Sequence, residues 1–411
     1  MEVSRAADRS GHEAGEGVGD SADGGAGERA VGRAGAPPEE RLGALTDAVG
    51  AFDRRTARLA RLVAATGSRP AGSLGRLDEI GWQVAGILRT HRVRPLPVVV
   101  SVLAGDHGVA EHGVSAHRPE STARLFAEIV EGRAPVCALA ARVGGRVAAA
   151  DLGLRTDTGD HRYKIGNGTA DITRADAMPF GQALDAIEAG ARFAHEVFPT
   201  GSMAACGEIG VGNTTSAAAL AARLLGADPR DLAGKGSGVG EETVRLKARL
   251  VEQALERTSG LDGDPDHSGD PVRQLAALGG YELCGNVGLI LAAAARGCLV
   301  VLDGCMTAVS ALIACRLCPQ VREYLVASHV STEPAHRMLL DEMGLKPVLD
   351  LEMRLGMGSG AALAAGPVNA LLAVTELAAA SAPSPAASPT SAEQDGNSTV
   401  RSPDPSGSER I

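Results

Sequence analysis

The chain has 411 residues, 44% of them hydrophobic, a formal net charge of −10 at pH 7 and only 2% aromatics. This is enough apolar material for one large core or two smaller ones. The acidic balance and the lack of basic runs interleaved with aromatics argue against nucleic acid or an anionic membrane as the main partner. No secretory leader and no apolar stretch long and unbroken enough to span a bilayer is apparent, so a cytoplasmic protein is expected.

Residues 1–38 are Gly, Ala, Glu, Asp and Arg with almost no large apolar side chain and are expected to be disordered. From Pro37-Pro38-Glu39-Glu40 an amphipathic pattern begins, with Leu42, Leu45, Val49, Phe52, Leu59 and Leu62 at helical spacing; Arg69 to Leu77 breaks it, and Ile80, Trp82, Val84, Ile87 and Leu88 resume it. Residues 39–95 therefore read as a small helical subdomain, followed by an α/β domain over 96–378. Pro97 to Ala104 is a β-branched run of the kind buried on both faces, ending in Gly105-Asp106-His107. A helical stretch from Ser121 to about Ala141, broken near Pro135, leads to a second strand, Arg146 to Gly153. This alternation favours a parallel sheet. Pro179 to Glu196 reads as a helix and Met203 to Cys206 as a strand feeding a glycine loop.

That loop, Gly207-Glu208-Ile209-Gly210-Val211-Gly212-Asn213-Thr214-Thr215, runs into the alanine-rich stretch after Ser216. Its glycines permit conformations a Cβ would forbid, and a helix N-terminus with bare N–H groups suits an anion such as a phosphate. Glu208 inside it is the first candidate for catalytic work, since a carboxylate beside an anion site is costly unless it handles a proton or binds a donor. A tight strand-to-helix turn with a solvated glutamate fits the glycine pattern equally well, because the full dinucleotide fingerprint is missing.

Gly234-Lys235-Gly236-Ser237-Gly238 is another glycine turn, and the helix from Glu241 to Arg257 carries Lys247. Thr258 to Asp270 is a Gly/Asp/Pro insertion expected to form a mobile surface loop. Gly279-Gly280 leads into an apolar helix. Cys298 to Leu302 and Tyr324 to His329 read as strands, the first ending in Asp303-Gly304 and the second in Val330-Ser331-Thr332-Glu333-Pro334, where Ser331 or Thr332 is expected to cap the next helix. Arg354 to Gly360 is a further glycine turn into a helix, and residues 379–411 are Ser/Pro-rich and expected to be disordered. The seven cysteines, Cys137, Cys206, Cys284, Cys298, Cys305, Cys315 and Cys318, read as reduced core thiols; Cys315 and Cys318 have the spacing of a metal or redox pair but no second pair accompanies them.

Strand ends carrying Asp-His, Gly-Glu, Asp-Gly and Ser-Thr-Glu, with three glycine turns opening helices, are the parts of a small-molecule site at the carboxyl edge of a doubly wound sheet. Over Leu59 to Val374 the chain resembles the nicotinate-nucleotide-dimethylbenzimidazole phosphoribosyltransferases. The resemblance rests on Pro70-Ala71-Gly72-Ser73-Leu74-Gly75, Gly105-Asp106-His107-Gly108-Val109, the 207–215 loop, and Arg354-Leu355-Gly356 with Gly358-Ser359-Gly360-Ala361-Ala362. It implies a Rossmann-like, doubly wound, mostly parallel sheet with a small helical domain, a homodimer, and a reaction without metal, cofactor or pyrophosphate. The substrates it implies are nicotinate mononucleotide and a benzimidazole-type base, giving α-ribazole 5′-phosphate for cobalamin assembly.

By the same resemblance, Lys247 and Ser331 hold the 5′-phosphate, Gly210 or Gly212 adds backbone N–H groups, and Gly304 and Arg354 line the cleft. Ser115, Ile209, Val211 and Leu355 form the slot for the base. From the residues alone, Ile209, Val211 and Leu355 read equally well as core, Lys247 as a solvated helix position and Arg354 as half of a structural ion pair. Two departures stand out. Met357 occupies the position where the family has its general-base glutamate, and a thioether cannot usefully accept a proton. Ala123-Arg124 stands where a glutamine is expected near the base. Either Glu208 takes over, or the proton leaves to water, or the chain is an altered paralogue that uses another base or only binds nucleotide or base.

Overall fold

The structure, a computed structural model, describes residues 37–65, 69–70, 72–262 and 269–381; residues 1–36 and 382–411 of the expected terminal tails and 263–268 of the 258–270 insertion lie outside the described residues, while 379–381, expected in the tail, continue the last helix. The chain opens with helices α1 (Pro38–Asp47), α2 (Arg54–Ala64) and α3 (Arg76–Leu88). The amphipathic pattern of Leu42 to Leu62 is divided between α1 and α2, because Asp53 caps α2 by accepting the N–H of Thr56 at 2.9 Å. Leu59 and Leu62 read as a core-facing stripe, yet α2 leaves them 43% and 59% exposed.

The body is a parallel sheet of β1 (Val98–Gly105), β2 (Arg146–Gly153), β3 (Met203–Ala205), β4 (Glu208–Ile209), β5 (Leu299–Leu302) and β6 (Leu325–Ala327). Spatial order is β2-β1-β3-β5-β6, with β4 also on β1. β3 and β4 are one extended segment interrupted at Cys206-Gly207: Val98 to Val100 pair with Met203 to Ala205, and Leu103 and Ala104 with Glu208 and Ile209. The order reverses between β1 and β3, and ligands of open α/β sheets bind at such a switch point. The loops after β1 and β4 therefore meet where the sequence placed its two clearest polar motifs.

Helices α4 (Ser121–Val130) and α5 (Pro135–Arg142) join β1 to β2, and α6 (Phe180–Val197) joins β2 to β3. Between β4 and β5 run α7 (Asn213–Leu225), α8 (Pro229–Leu232), α9 (Glu241–Arg257), α10 (Pro271–Leu278) and α11 (Tyr281–Ala295); α12 (Cys305–Leu317) leads to β6, and α13 (Pro334–Glu342) and α14 (Ser359–Ser381) close the chain. Both faces of the sheet are covered. Val100 approaches Gly358, just before α14, while Leu103 approaches Gly285 on α11. Three residues apart on one strand, these side chains point to opposite faces. Gly190 on α6 is a required glycine, since a Cβ there would collide with the carbonyl of Gly285 and hold the two helices apart.

The first helices are not detached from this body. Arg41 of α1 pairs with Glu188 and Asp185 of α6, and Gly81 of α3 lets Leu371 of α14 approach. α14 corrects the reading that no apolar stretch could span a bilayer: Ser359–Leu377 has the length and composition to do so. Its Ala361, Ala362, Ala364, Ala365, Val368 and Leu372 are instead buried in the common core. A second correction concerns α13, whose N-cap is Glu333 without a side-chain cap bond; Ser331 and Thr332 lie upstream, and Ser331 instead meets His336.

Candidate active site at the carboxyl edge

The carboxyl ends of β1, β4, β5 and β6 carry buried polar groups. After β1, His107 is fixed by Glu282 (Nε2 to Oε1, 2.7 Å) and Ser216 (Nδ1 to Oγ, 2.9 Å), all three buried. Asp106, also buried, accepts the N–H of Arg155 at 2.9 Å. After β5, Asp303 accepts the N–H groups of Gly358 (3.0 Å), Gly360 (2.7 Å) and Ala361 (3.2 Å). It caps α14 from 55 or more residues away in sequence. After β6, His329 meets Ser328 Oγ at 2.9 Å, and His336 Nδ1 lies 3.0 Å from both the N–H and the Oγ of Ser331.

Glu208 comes from β4 and is 3% exposed, with one oxygen accepting from the Asn213 amide. Burial pushes its carboxyl well above the ordinary range, and the nearby Glu282 and Asp303 add to this against the pull of Asn213. A solvated turn glutamate is thereby excluded. Gly207 admits the backbone of Met357 and Gly358, which would lie 2.6–2.7 Å from a Cβ there, and a Cβ on Gly356 would lie 3.7 Å from Glu208 Oε1. The turn carrying position 357 thus rests against the Glu208 corner. Met357 itself is 4% exposed, joins the hydrophobic core and has φ 61°, a left-handed conformation uncommon outside glycine.

Lys247 is fully buried, so the solvated-face reading fails. Its ammonium donates to Thr214 Oγ1 (3.0 Å) and to the carbonyl of Gly234 (2.6 Å). Burial lowers its pKa while the carboxylate of Glu333 supports the charge. Glu333 in turn accepts the N–H of Gly236 at 2.7 Å. The 234–238 loop is the hub of this end of the molecule. Beyond Lys247 and Glu333, its Ser237 Oγ lies 3.2 Å from Ser115 Oγ and accepts the N–H of Ala116 at 2.9 Å, and its Gly238 faces the Arg354 guanidinium. Sequence reasoning saw a glycine turn there but assigned it no residue; Gly-x-Gly-x-Gly beside a helix that carries a lone lysine was the available signal.

Three of the residues assigned to the cleft by resemblance, Lys247, Ser115 and Arg354, are thus brought together by one loop. Gly212 opens α7 at φ 94°, and a Cβ on Gly210 would collide with the Gly105 carbonyl, so the 207–212 loop hugs the end of β1. Gly304 opens α12 with free space at its Cα, and Ser331 is half-buried. The apolar set is dispersed in environment: Ile209 is core, Val211 is half-buried and Leu355 is 51% exposed. Ser237, Glu282 and His336 were given no role, and Thr214, Asp303 and Glu333 were read only as parts of motifs, since each takes its place through a partner remote in sequence. A separate groove of about 330 Å³, lined by Phe52, Arg76, Trp82, Arg322, Glu323 and Lys346, lies beside the N-terminal end of β6, away from these groups.

A model of the Phosphoribosyltransferase family matches residues 49–382. Among curated proteins, the nicotinate-nucleotide-dimethylbenzimidazole phosphoribosyltransferase of Geobacter metallireducens is 39% identical over 308 residues, 74% of this chain and 86% of that protein. The protein of the same name from Deinococcus radiodurans is 39% identical over 335 residues, 78% and 90% of the two chains. Among solved structures, CobT from Thermus thermophilus superposes with a TM-score of 0.74 at 34% identity, covering 80% of this chain and all of that one.

Proposed function

Since the chain belongs to the nicotinate-nucleotide-dimethylbenzimidazole phosphoribosyltransferase family, we propose that it transfers the 5-phosphoribosyl group of nicotinate mononucleotide to 5,6-dimethylbenzimidazole or a related base. The observation that carries this reading is the 234–238 loop, which gathers Lys247, Ser115 and Arg354, while Glu208 stands buried with a raised proton affinity at the end of β4. Lys247 and Ser331 hold the 5′-phosphate, with the N–H groups of Gly210 or Gly212 and the open ends at Gly304 and Arg354 completing the nucleotide side. Ser115, Ile209, Val211 and Leu355 border the base.

The lone pair of the base's imine-type ring nitrogen forms the new bond to C1′ of the ribose. The bond to nicotinate breaks at the same carbon, and its electron pair goes to the pyridinium nitrogen, which leaves as a neutral ring. Attack opposite the leaving group gives the α-ribazole 5′-phosphate configuration. The leaving group is already activated, so the protein's work is to position two flat rings around C1′ and to receive the base's N–H proton. Glu208 receives it. A carboxylate raised above its ordinary range is a better acceptor near neutral pH than a solvated one. Purified chain with both substrates should release nicotinate and α-ribazole 5′-phosphate in equal amounts; nicotinate mononucleotide left intact would refute the reading.

Burial of Met357 at the family's base position favours one second reading, a cleft adapted to another base or to binding alone. A panel of bases separates the two, because turnover only with a different ring would select it. The active form is a cytoplasmic homodimer. Seven unpaired thiols suit a reducing compartment, and the outward Leu59 and Leu62, with Leu74, offer a face for a second copy. A one-chain mass in sedimentation would remove the dimer.

A further inference from the structure

Asp303 makes no use of its carboxylate that the phosphoribosyl transfer itself requires, yet it is among the most committed side chains in the fold. It is 1% exposed, and its two oxygens accept three backbone N–H groups at 2.7–3.2 Å, all from residues 358–361. These are the first-turn N–H groups of α14 and the residue before it, donors that a helix cannot satisfy internally, and a negative charge there is favoured by the helix dipole. The Asp303 carbonyl also accepts from Ser328 Oγ at 3.2 Å, which ties the end of β5 to the end of β6. His329 packs against Gly360 so closely that a Cβ there would collide with its ring. One residue therefore joins two strand ends, through its carbonyl, to the turn that packs on Gly207, through its carboxylate.

We propose that Asp303 is a positioning residue: by holding the amides of Gly358, Gly360 and Ala361 it sets where the 356–358 turn, and position 357 with it, lies against Glu208. The proposal rests on the reading of Glu208 as the proton acceptor.

Electrostatics link the two carboxylates further. Facing Glu208 are Glu282 from α11, Asp303 from the end of β5, Asn213 from α7 and the thiol of Cys305 at the start of α12. Glu282 is engaged by His107, and Asp303, whose carboxyl burial pushes above its ordinary range, has the His329 ring and three amides opposing that push, while burial lowers the pKa of His329 itself. To the extent that the three amides keep Asp303 ionised against its burial, its charge adds to the raised proton affinity of Glu208. Removing that charge lowers the proton affinity of Glu208, and removing one acceptor loosens the turn.

The test is Asp303→Asn, in which the amide nitrogen faces an N–H group it cannot accept. Glu208 is followed by carbon NMR of side-chain-labelled glutamate, with Glu208→Gln assigning its signal. The expected result is a Glu208 titration midpoint lower by about one pH unit, the scale of a lost neighbouring charge, with kcat down by about 10-fold or more and KM for nicotinate mononucleotide little changed. An unchanged midpoint and kcat would overturn the proposal. If Asp303→Asn does not fold, the wild-type chain decides: amides of Gly358, Gly360 and Ala361 that resist hydrogen exchange and titrate with Asp303 support it, and amides that exchange like open loop overturn it. A wild-type chain that releases no nicotinate sinks the reading of the reaction and leaves these NMR results to judge Asp303 alone.

Discussion

Replacing Met357 by glutamate puts a carboxylate at the position that the resemblance assigns to the family's general base, and the structure sets the size of the response. The backbone there has φ 61°, and glutamate meets the same left-handed restriction as methionine, so backbone strain drops out of the comparison. The side chain is 4% exposed in the hydrophobic core, on a turn that rests against the Glu208 corner. The new carboxyl would be held partly protonated, and its burial should cost about 1–3 kcal/mol of stability. A positioned general base contributes about 10²–10⁴-fold. With Glu208 as the proposed acceptor, the gain should fall at or below the low end, about 10-fold, or roughly 1.4 kcal/mol off the barrier. Nicotinate release with dimethylbenzimidazole is the assay, read from acid to neutral pH, and the gain should vanish at acid pH as the new carboxyl protonates. In a Glu208→Gln background the same substitution should restore more than it adds to the wild type. A folded Met357→Glu protein with unchanged or lower turnover in both backgrounds would refute the reasoning and show a pocket rebuilt around methionine.

Lys247→Ala should weaken nicotinate mononucleotide binding by about 1.5–3 kcal/mol, the range for charge-assisted hydrogen bonds, while binding of dimethylbenzimidazole alone hardly changes in calorimetry. It should also lower the melting temperature, because Gly234 O loses the donor of a 2.6 Å bond. Glu208→Gln should melt higher than wild type at pH 7. The folded chain keeps this proton where the unfolded chain releases it, so the carboxyl costs stability as pH rises above its ordinary 4.5, and the difference should close below that value. His336 is held neutral down to about 3 by burial, against an ordinary 6.5. The unfolded chain therefore takes up a proton first on acidification, and stability should fall as pH drops below 6.5; His336→Gln should flatten that decline in urea midpoints compared at about pH 7 and about pH 5.

What the sequence made legible was local. The β-branched run of Val98 to Val102 and the glycine loop after Cys206 announced their conformations within a few residues, and the break at Pro135 followed from the missing N–H. The 207–212 loop and the strand ends were found as a set because glycines and acids stand directly after apolar runs. The partners were not legible, since His107 and Glu282 are 175 residues apart and Asp303 and Gly358 are 55. No periodicity encodes such pairings. Lys247 illustrates the limit: helical spacing placed it on α9 correctly, only resemblance gave it a task, and only the packing of Thr214 and Gly234 around its ammonium shows that it is fully buried. Leu59 and Leu62 show the opposite failure, since a helical stripe gives apolar character but not whether the surface that covers it belongs to the same chain.

If Glu208 accepts the proton in phosphoribosyl transfer, the pH dependence of kcat in wild type and Glu208→Gln must report it. The wild-type rate with nicotinate mononucleotide and dimethylbenzimidazole should rise through one carboxyl titration whose midpoint lies above 4.5 and level off toward neutral pH. Glu208→Gln should lose that rise and fall by about 10²-fold at neutral pH. A Glu208→Gln enzyme that keeps both the rise and the rate would contradict the account.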